Sequence, residues 1–346
     1  MKEEKQTQEQ APALDREYWI DTVRSFACLC VITTHAPIPN CGAGAPLIAV
    51  TNYYAVAGAS ILFFMITGAL VLYKEKPVVS FIKTRLSRIA LPMVIWSIIC
   101  LIIDYFLKEI SGTELTKKIL MIPLGPQVGT YWFIYVVFGI YLVTQPIASW
   151  LSRCSRKDVE LYLGIWAITL LLPYLTELCP NFDVIIGYRS GYLYYFYGFL
   201  GFAVLGYYLR KYVVIPKLKR KHIIVIALLF VLPWVLYLFP SIPHTAIQDR
   251  MSINVVAMSV VYFLVLKHIK WTNKMKRICY NFANHSFGIY LVHLLVMRKV
   301  LWPILEPLQL YYAIQIPLVV ILTAVLSYSV VHLISKLPYS KYIIGL

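Results

Sequence analysis

Arg24 and His35 are the side chains of this chain that most need a chemical explanation. They stand eleven residues apart in the apolar stretch YWIDTVRSFACLCVITTHAPIP, residues 18–39, which also carries Asp21. The stretch is long enough to cross a bilayer as one helix. A charge at mid-membrane costs roughly 2.5–3.5 kcal/mol on insertion scales, so such residues usually line a cavity or meet a partner. At about 100° per residue, eleven steps bring the two side chains within about 20° of one face and roughly 16 Å apart along the axis. Arg24 alone would also suit snorkelling to headgroups. His35, whose ordinary pKa lies near neutrality, is suited to act as a general base toward an attacking hydroxyl.

Two further groups carry chemical potential. Arg85 and Arg88, in KTRLSRIALP with Lys83 beside them, share a helix face three residues apart. They are either ordinary inner-surface charge or a phosphate clamp, since guanidinium presents a planar fork that matches phosphate oxygens. Ser286, Tyr290 and His293 fall at i, i+4 and i+7 in NHSFGIYLVHLL and form one polar stripe. They are candidates for an acceptor or channel surface. So are Trp132, in the aromatic run TYWFIY, and Asp104, an outer acidic residue able to hydrogen-bond an acceptor hydroxyl.

The elements that must position these groups are helices in a membrane. The 346 residues are 60% hydrophobic with a mean hydropathy of +0.71, outside the range of soluble domains. The reading is an all-α integral membrane protein of about ten transmembrane helices, at residues 18–37, 52–73, 89–107, 130–151, 159–176, 191–209, 223–239, 251–266, 284–301 and 311–334. The first run lacks a basic leader and a cleavage site, so it reads as a retained span. Residues 1–17 read as a disordered cytoplasmic tail, 18–336 as a single polytopic membrane domain and 337–346 as a short cytoplasmic tail.

The net charge of +16 does not indicate nucleic acid, because it is sorted between loops. Dense basic clusters at 74–88, 153–157, 210–221 and 267–277 alternate with outer segments holding only Lys108, Lys117, Lys118, Arg189, Arg250, Arg298 and Lys299. This is the positive-inside pattern and places both termini in the cytoplasm. No phosphate-binding glycine loop and no His/Cys metal spacing occurs, so no metal is expected. The seven tyrosines between 188 and 208 read as an interfacial belt, with Gly198, Gly201 and Gly206 allowing close helix packing.

Taken together, these motifs resemble the bacterial acyltransferase family 3, integral membrane enzymes that O-acylate cell-surface glycans. The resemblance spans essentially the whole chain. Its most specific element is an Arg, ten residues, then a His in the first span, here Arg24 and His35. An Arg-x-x-Arg opens the third span, here Arg85 and Arg88. FFMITGAL looks like that family's FF-x-x-SG segment with Thr67 in place of Ser, YWFIYVVFGIYL like its L-W-F-aromatic opening, and SFGIYLVH like its S-x-x-IY-x-x-H pattern. Many relatives carry an appended extracytoplasmic hydrolase-like domain. This chain ends at Leu346 without one, and the expectation is a stand-alone transferase of a bacterial inner membrane.

The resemblance implies an acyl-CoA donor, most often acetyl-CoA, bound from the cytoplasm, and a glycan or lipid-linked glycan acceptor approaching from outside. Arg85, Arg88 and Lys83 would hold the donor phosphates, and the pantetheine arm would thread toward His35 through a channel lined by small residues of the glycine-bearing second and sixth spans. His35 would be the base and Arg24 would orient the donor or steady developing charge; an acetyl-His intermediate is the variant. The alternative class is a polysaccharide or lipid-linked sugar exporter, although neither inverted repeats nor broken helices stand out. Acceptor sugar, acyl group and oligomeric state stay open.

Overall fold

The computed structural model describes residues 17–37, 45–73, 75–179, 198–214, 219–237 and 244–345. The N-terminal tail and most of the tyrosine-rich segment, residues 188–197, lie outside them. The described chain folds into helices and no strand: α1 (Tyr18–His35), α2 (Ala45–Gly58), α3 (Ser60–Val71), α4 (Val78–Phe106), α5 (Gly112–Met121), α6 (Trp132–Arg153), α7 (Arg156–Thr169), α8 (Leu172–Leu178), α9 (Leu200–Lys211), α10 (Arg220–Tyr237), α11 (His244–Gln248), α12 (Ile253–His268), α13 (Asn273–Leu295), α14 (Trp302–Leu305), α15 (Tyr312–Ser335) and α16 (Ser340–Ile344).

Among the described residues seven helical segments are long and apolar enough to cross a membrane: Val50–Val71, Val78–Phe106, Gly129–Arg153, Arg156–Leu178, Ala246–His268, Asn273–Leu308 and Tyr312–Ser335. Large aliphatic side chains stand exposed on their outer faces, as at Ile314, Ile321 and Val325 of α15 and Leu161, Ile165 and Ile168 of α7. Water would not tolerate so much apolar surface; lipid does.

α1 is not among the seven, and the reason is its polarity. It packs instead against α2, α3, α12, α13 and α15, and Val23 and Ala27 join one buried cluster while Cys28, Val31 and Ile32 join the other. Asp21, Thr22 and Ser25 are buried; Ser25 Oγ donates to the Cys279 carbonyl at 3.0 Å. A helix wrapped by protein need not be lipophilic, which lets it carry charge through the bundle.

Two helix pairs differ from expectation in informative ways. The second predicted span is broken: Ala59, at φ −84° and ψ −116°, separates α2 from α3, and the Ala57 carbonyl is taken by Ser259 Oγ at 2.7 Å. Broken helices in membranes occur where the freed backbone groups face protein or a cavity. Among the described residues the glycines of the second and sixth spans are not on the wall of the internal cavity, whereas the small residues Ala59, Ser60 and Thr67 of the second span are. A Cβ on Gly68 would sit 1.8 Å from the Ala203 carbonyl oxygen, and one on Gly206 would sit 1.9 Å from that of Met65, so α3 and α9 meet backbone to backbone. Gly68→Ala should therefore cost on the order of 3 kcal/mol or more, seen as a fall in Tm and in the yield of detergent-stable protein.

The polar stretch after α4 is also structured. Ser111 caps α5 by accepting from the Glu114 backbone N–H at 3.2 Å, and Leu115 and Ile119 turn its apolar face onto the core. At the other end of the chain α16 packs against α4, where Trp96 Nε1 donates to the Ile343 carbonyl at 2.9 Å. Residues 340–344, expected as tail, thus form part of the bundle.

Candidate active site

One cavity of about 660 Å³ lies within the bundle, and its wall collects most of the residues singled out by type and spacing. Arg24, His35, Arg85, Arg88, Trp132, Ser286 and Tyr290 all line it. They arrive from α1, α4, α6 and α13, elements separated by as much as 266 positions in sequence.

The order of groups along the cavity follows from the helix packing. α4 begins against the second half of α6: the Phe81 and Tyr141 rings lie 5.8 Å apart, and the Lys76 backbone N–H donates to Gln145 Oε1 at 2.6 Å. Tyr141 lies within electrostatic reach of both Arg85 and Arg24. Arg24, Arg85 and Arg88 therefore form one end. Trp132 stands nine residues earlier in α6, roughly 13 Å along the axis. It belongs to the other end, with His35, Tyr290 and Thr130.

At that other end the imidazoles pair. The His35 and His293 ring centroids lie 5.5 Å apart. His293 is fully buried, with Nδ1 2.6 Å from the Tyr290 carbonyl oxygen. A carbonyl only accepts, so Nδ1 carries the hydrogen and Nε2 is left as an acceptor. Nε2 has no hydrogen-bond partner among the described residues. The Tyr290 hydroxyl donates to the Thr130 carbonyl, and Tyr131 donates to the Leu291 carbonyl at 2.7 Å, so α13 is clamped to the start of α6 beside the buried His293. Immediately after it the chain winds as a π-helix over Val296–Leu301, a form common at functional sites.

Three expected members are not on the wall: His293 is buried behind it, and the other two lie elsewhere. Lys83 is exposed and does not line the cavity. Asp104 also lies off the wall, held by Lys299 Nζ at 3.0 Å, with Glu109 on the same ammonium at 2.5 Å. Its carboxylate is thus engaged in an ion pair. Ser286 lines the cavity, but its hydroxyl donates to the Ala283 carbonyl at 2.7 Å.

The structure adds residues that no spacing argument reached. Arg250, from the segment between α11 and α12, lines the cavity with its guanidinium 5.0 Å from the Trp132 ring centroid. Thr130, Asn284, His285 and Gly345 line it as well. Gly345 sits at φ +72° with the Arg88 carbonyl close by, so the chain's last turn closes the wall beside the arginine pair. The outer basic residues looked like loop charge, and the positive-inside pattern offered no way to tell Arg250 from Arg298. Among the described residues no group of three or more His, Cys, Asp or Glu side chains is placed to hold a metal ion.

The helical bundle and its internal cationic cavity define a multi-pass membrane protein with a polar site inside the membrane domain. The chain matches the model of acyltransferase family 3, an acyltransferase domain, over residues 17–332, and so belongs to that family of membrane acyltransferases. Neither a curated protein nor a solved structure matches it.

Proposed function

We propose that the protein is a membrane O-acyltransferase that moves an acyl group, acetyl in the first instance, from cytoplasmic acyl-CoA to a hydroxyl of an extracytoplasmic or lipid-linked glycan. The observation that carries this reading is that His35 and the Arg85/Arg88 pair stand on the wall of the same cavity, toward its two ends. In this reading the protein spans a bacterial inner membrane ten times with both termini inside, α1, α9 and α10 completing the seven apolar spans.

Coenzyme A has phosphates at one end and a thioester at the other, which matches a cavity with guanidinium groups at one end and an imidazole toward the other. Arg85 and Arg88 hold the phosphates by charge-assisted hydrogen bonds. His35 accepts the acceptor hydroxyl's proton as that oxygen attacks the thioester carbonyl. The new C–O bond forms, the C–S bond breaks, and the coenzyme A sulfur leaves with the proton returned from His35. Arg24, on the same face of α1, attracts the donor's negative charge along its path.

Detergent-solubilised protein incubated with acetyl-CoA should release free coenzyme A thiol with no membrane gradient present. An intact thioester, together with gradient-dependent movement of glycan across proteoliposomes, would transfer the assignment to an exporter.

A further inference from the structure

We infer that the end of the cavity near His35 is built for an acidic acceptor, with Arg250 receiving an oxyanion carried by the glycan. The inference rests on the acyltransferase reading and adds the chemical class of the acceptor.

Among the described residues four arginines line the cavity, and no Asp or Glu side chain does. Arg24, Arg85 and Arg88 are accounted for at the donor end. Arg250 is separated from them by the length of α6 between Tyr141 and Trp132, and it lies close enough to His35 for its charge to be felt there. Among the described residues its guanidinium makes no ion pair. Its neighbour Asp249 lies within electrostatic reach but makes no ion pair with it, and Oδ1 of that carboxylate accepts from the Met251 backbone N–H at 2.7 Å.

The guanidinium is instead held by the Trp132 ring, 5.0 Å from its centroid. Stacking occupies the flat face of a guanidinium and leaves its in-plane N–H fork available for a carboxylate or phosphate. Beside it Thr130, nine-tenths or more buried and also on the wall, has a hydroxyl with no hydrogen-bond partner among the described residues. A buried polar group without a partner is costly unless a ligand or water meets it. A cation with no ion pair among the described residues, an unpartnered hydroxyl and a base within one end of a cavity describe a subsite for a sugar that carries both an oxyanion and a reacting hydroxyl.

The test is binding to the full-length protein in phosphatidylcholine nanodiscs, using p-nitrophenyl glucuronide, glucose 6-phosphate and the neutral p-nitrophenyl glucoside. At least one acidic probe should bind about tenfold or more tighter than the neutral one, the scale of one charge-assisted hydrogen bond. Arg250→Gln, checked for wild-type elution, should erase that preference, and Arg250→Lys should keep part of it. The two acidic probes separate a carboxylate from a phosphate site. Equal affinity for acidic and neutral sugars, no binding of either acidic probe, or a preference that survives Arg250→Gln would overturn the inference. So would loss of acidic-sugar binding on switching to phosphatidylglycerol discs, which would give the site to a lipid headgroup. Thioester cleavage is read separately, so failure here leaves the transferase reading standing.

Discussion

His35→Ala is expected to lower acyl transfer by roughly 10²–10⁴-fold, the usual contribution of a positioned general base. His35 is the last residue of α1 and faces the cavity, so its removal takes away a wall group and leaves the helix–helix packing alone. The variant should insert, elute and melt like the parent while its kcat at saturating acetyl-CoA collapses. His293 provides the contrast. Its ring is fully buried and fastened to the Tyr290 carbonyl, so truncating it opens a void and should lower stability along with turnover. Unchanged turnover in His35→Ala would remove His35 from the mechanism and leave the base role to its neighbour 5.5 Å away.

The double variant Arg85→Gln/Arg88→Gln should raise the donor KM by about 10–100-fold with kcat largely kept at saturation. Each lost hydrogen bond from a charged donor is worth about 1.5–3 kcal/mol, and loss expressed in KM alone marks an interaction made equally in ground and transition states. Arg85 is half-buried and Arg88 exposed, so salt screening should shrink the effect at the high-salt end. Lysine replacements should recover the charge but not the fork, and so only part of the affinity. Measurement is by initial rates over a range of acetyl-CoA concentrations. Donor affinity unchanged in the double variant would defeat the clamp and detach the arginines from the donor.

The legible part of the site was the part written in helical periodicity. Arg24 with His35, Arg85 with Arg88, and Ser286 with Tyr290 and His293 each lie on one helix, where 3.6 residues per turn decides what shares a face. Hydropathy likewise marked the membrane class, and the expected spans at 159–176 and 251–266 lie within the segments Arg156–Leu178 and Ala246–His268. The packing role of Gly206 was readable because small residues permit close approach.

What the sequence by itself determined, then, was the set of helices and the chemistry carried on each face, because both follow from local spacing and composition. Only the tertiary structure decided which faces meet. It drew Arg250 onto Trp132, set His293 behind His35, and folded Gly345 against the arginine end. It tied Asp104 to Lys299 outside the cavity and spent Gly68 and Gly206 on a helix contact. Those outcomes depend on how ridges, kinks and caps settle the angles between helices distant in sequence. No period along one helix encodes such an angle.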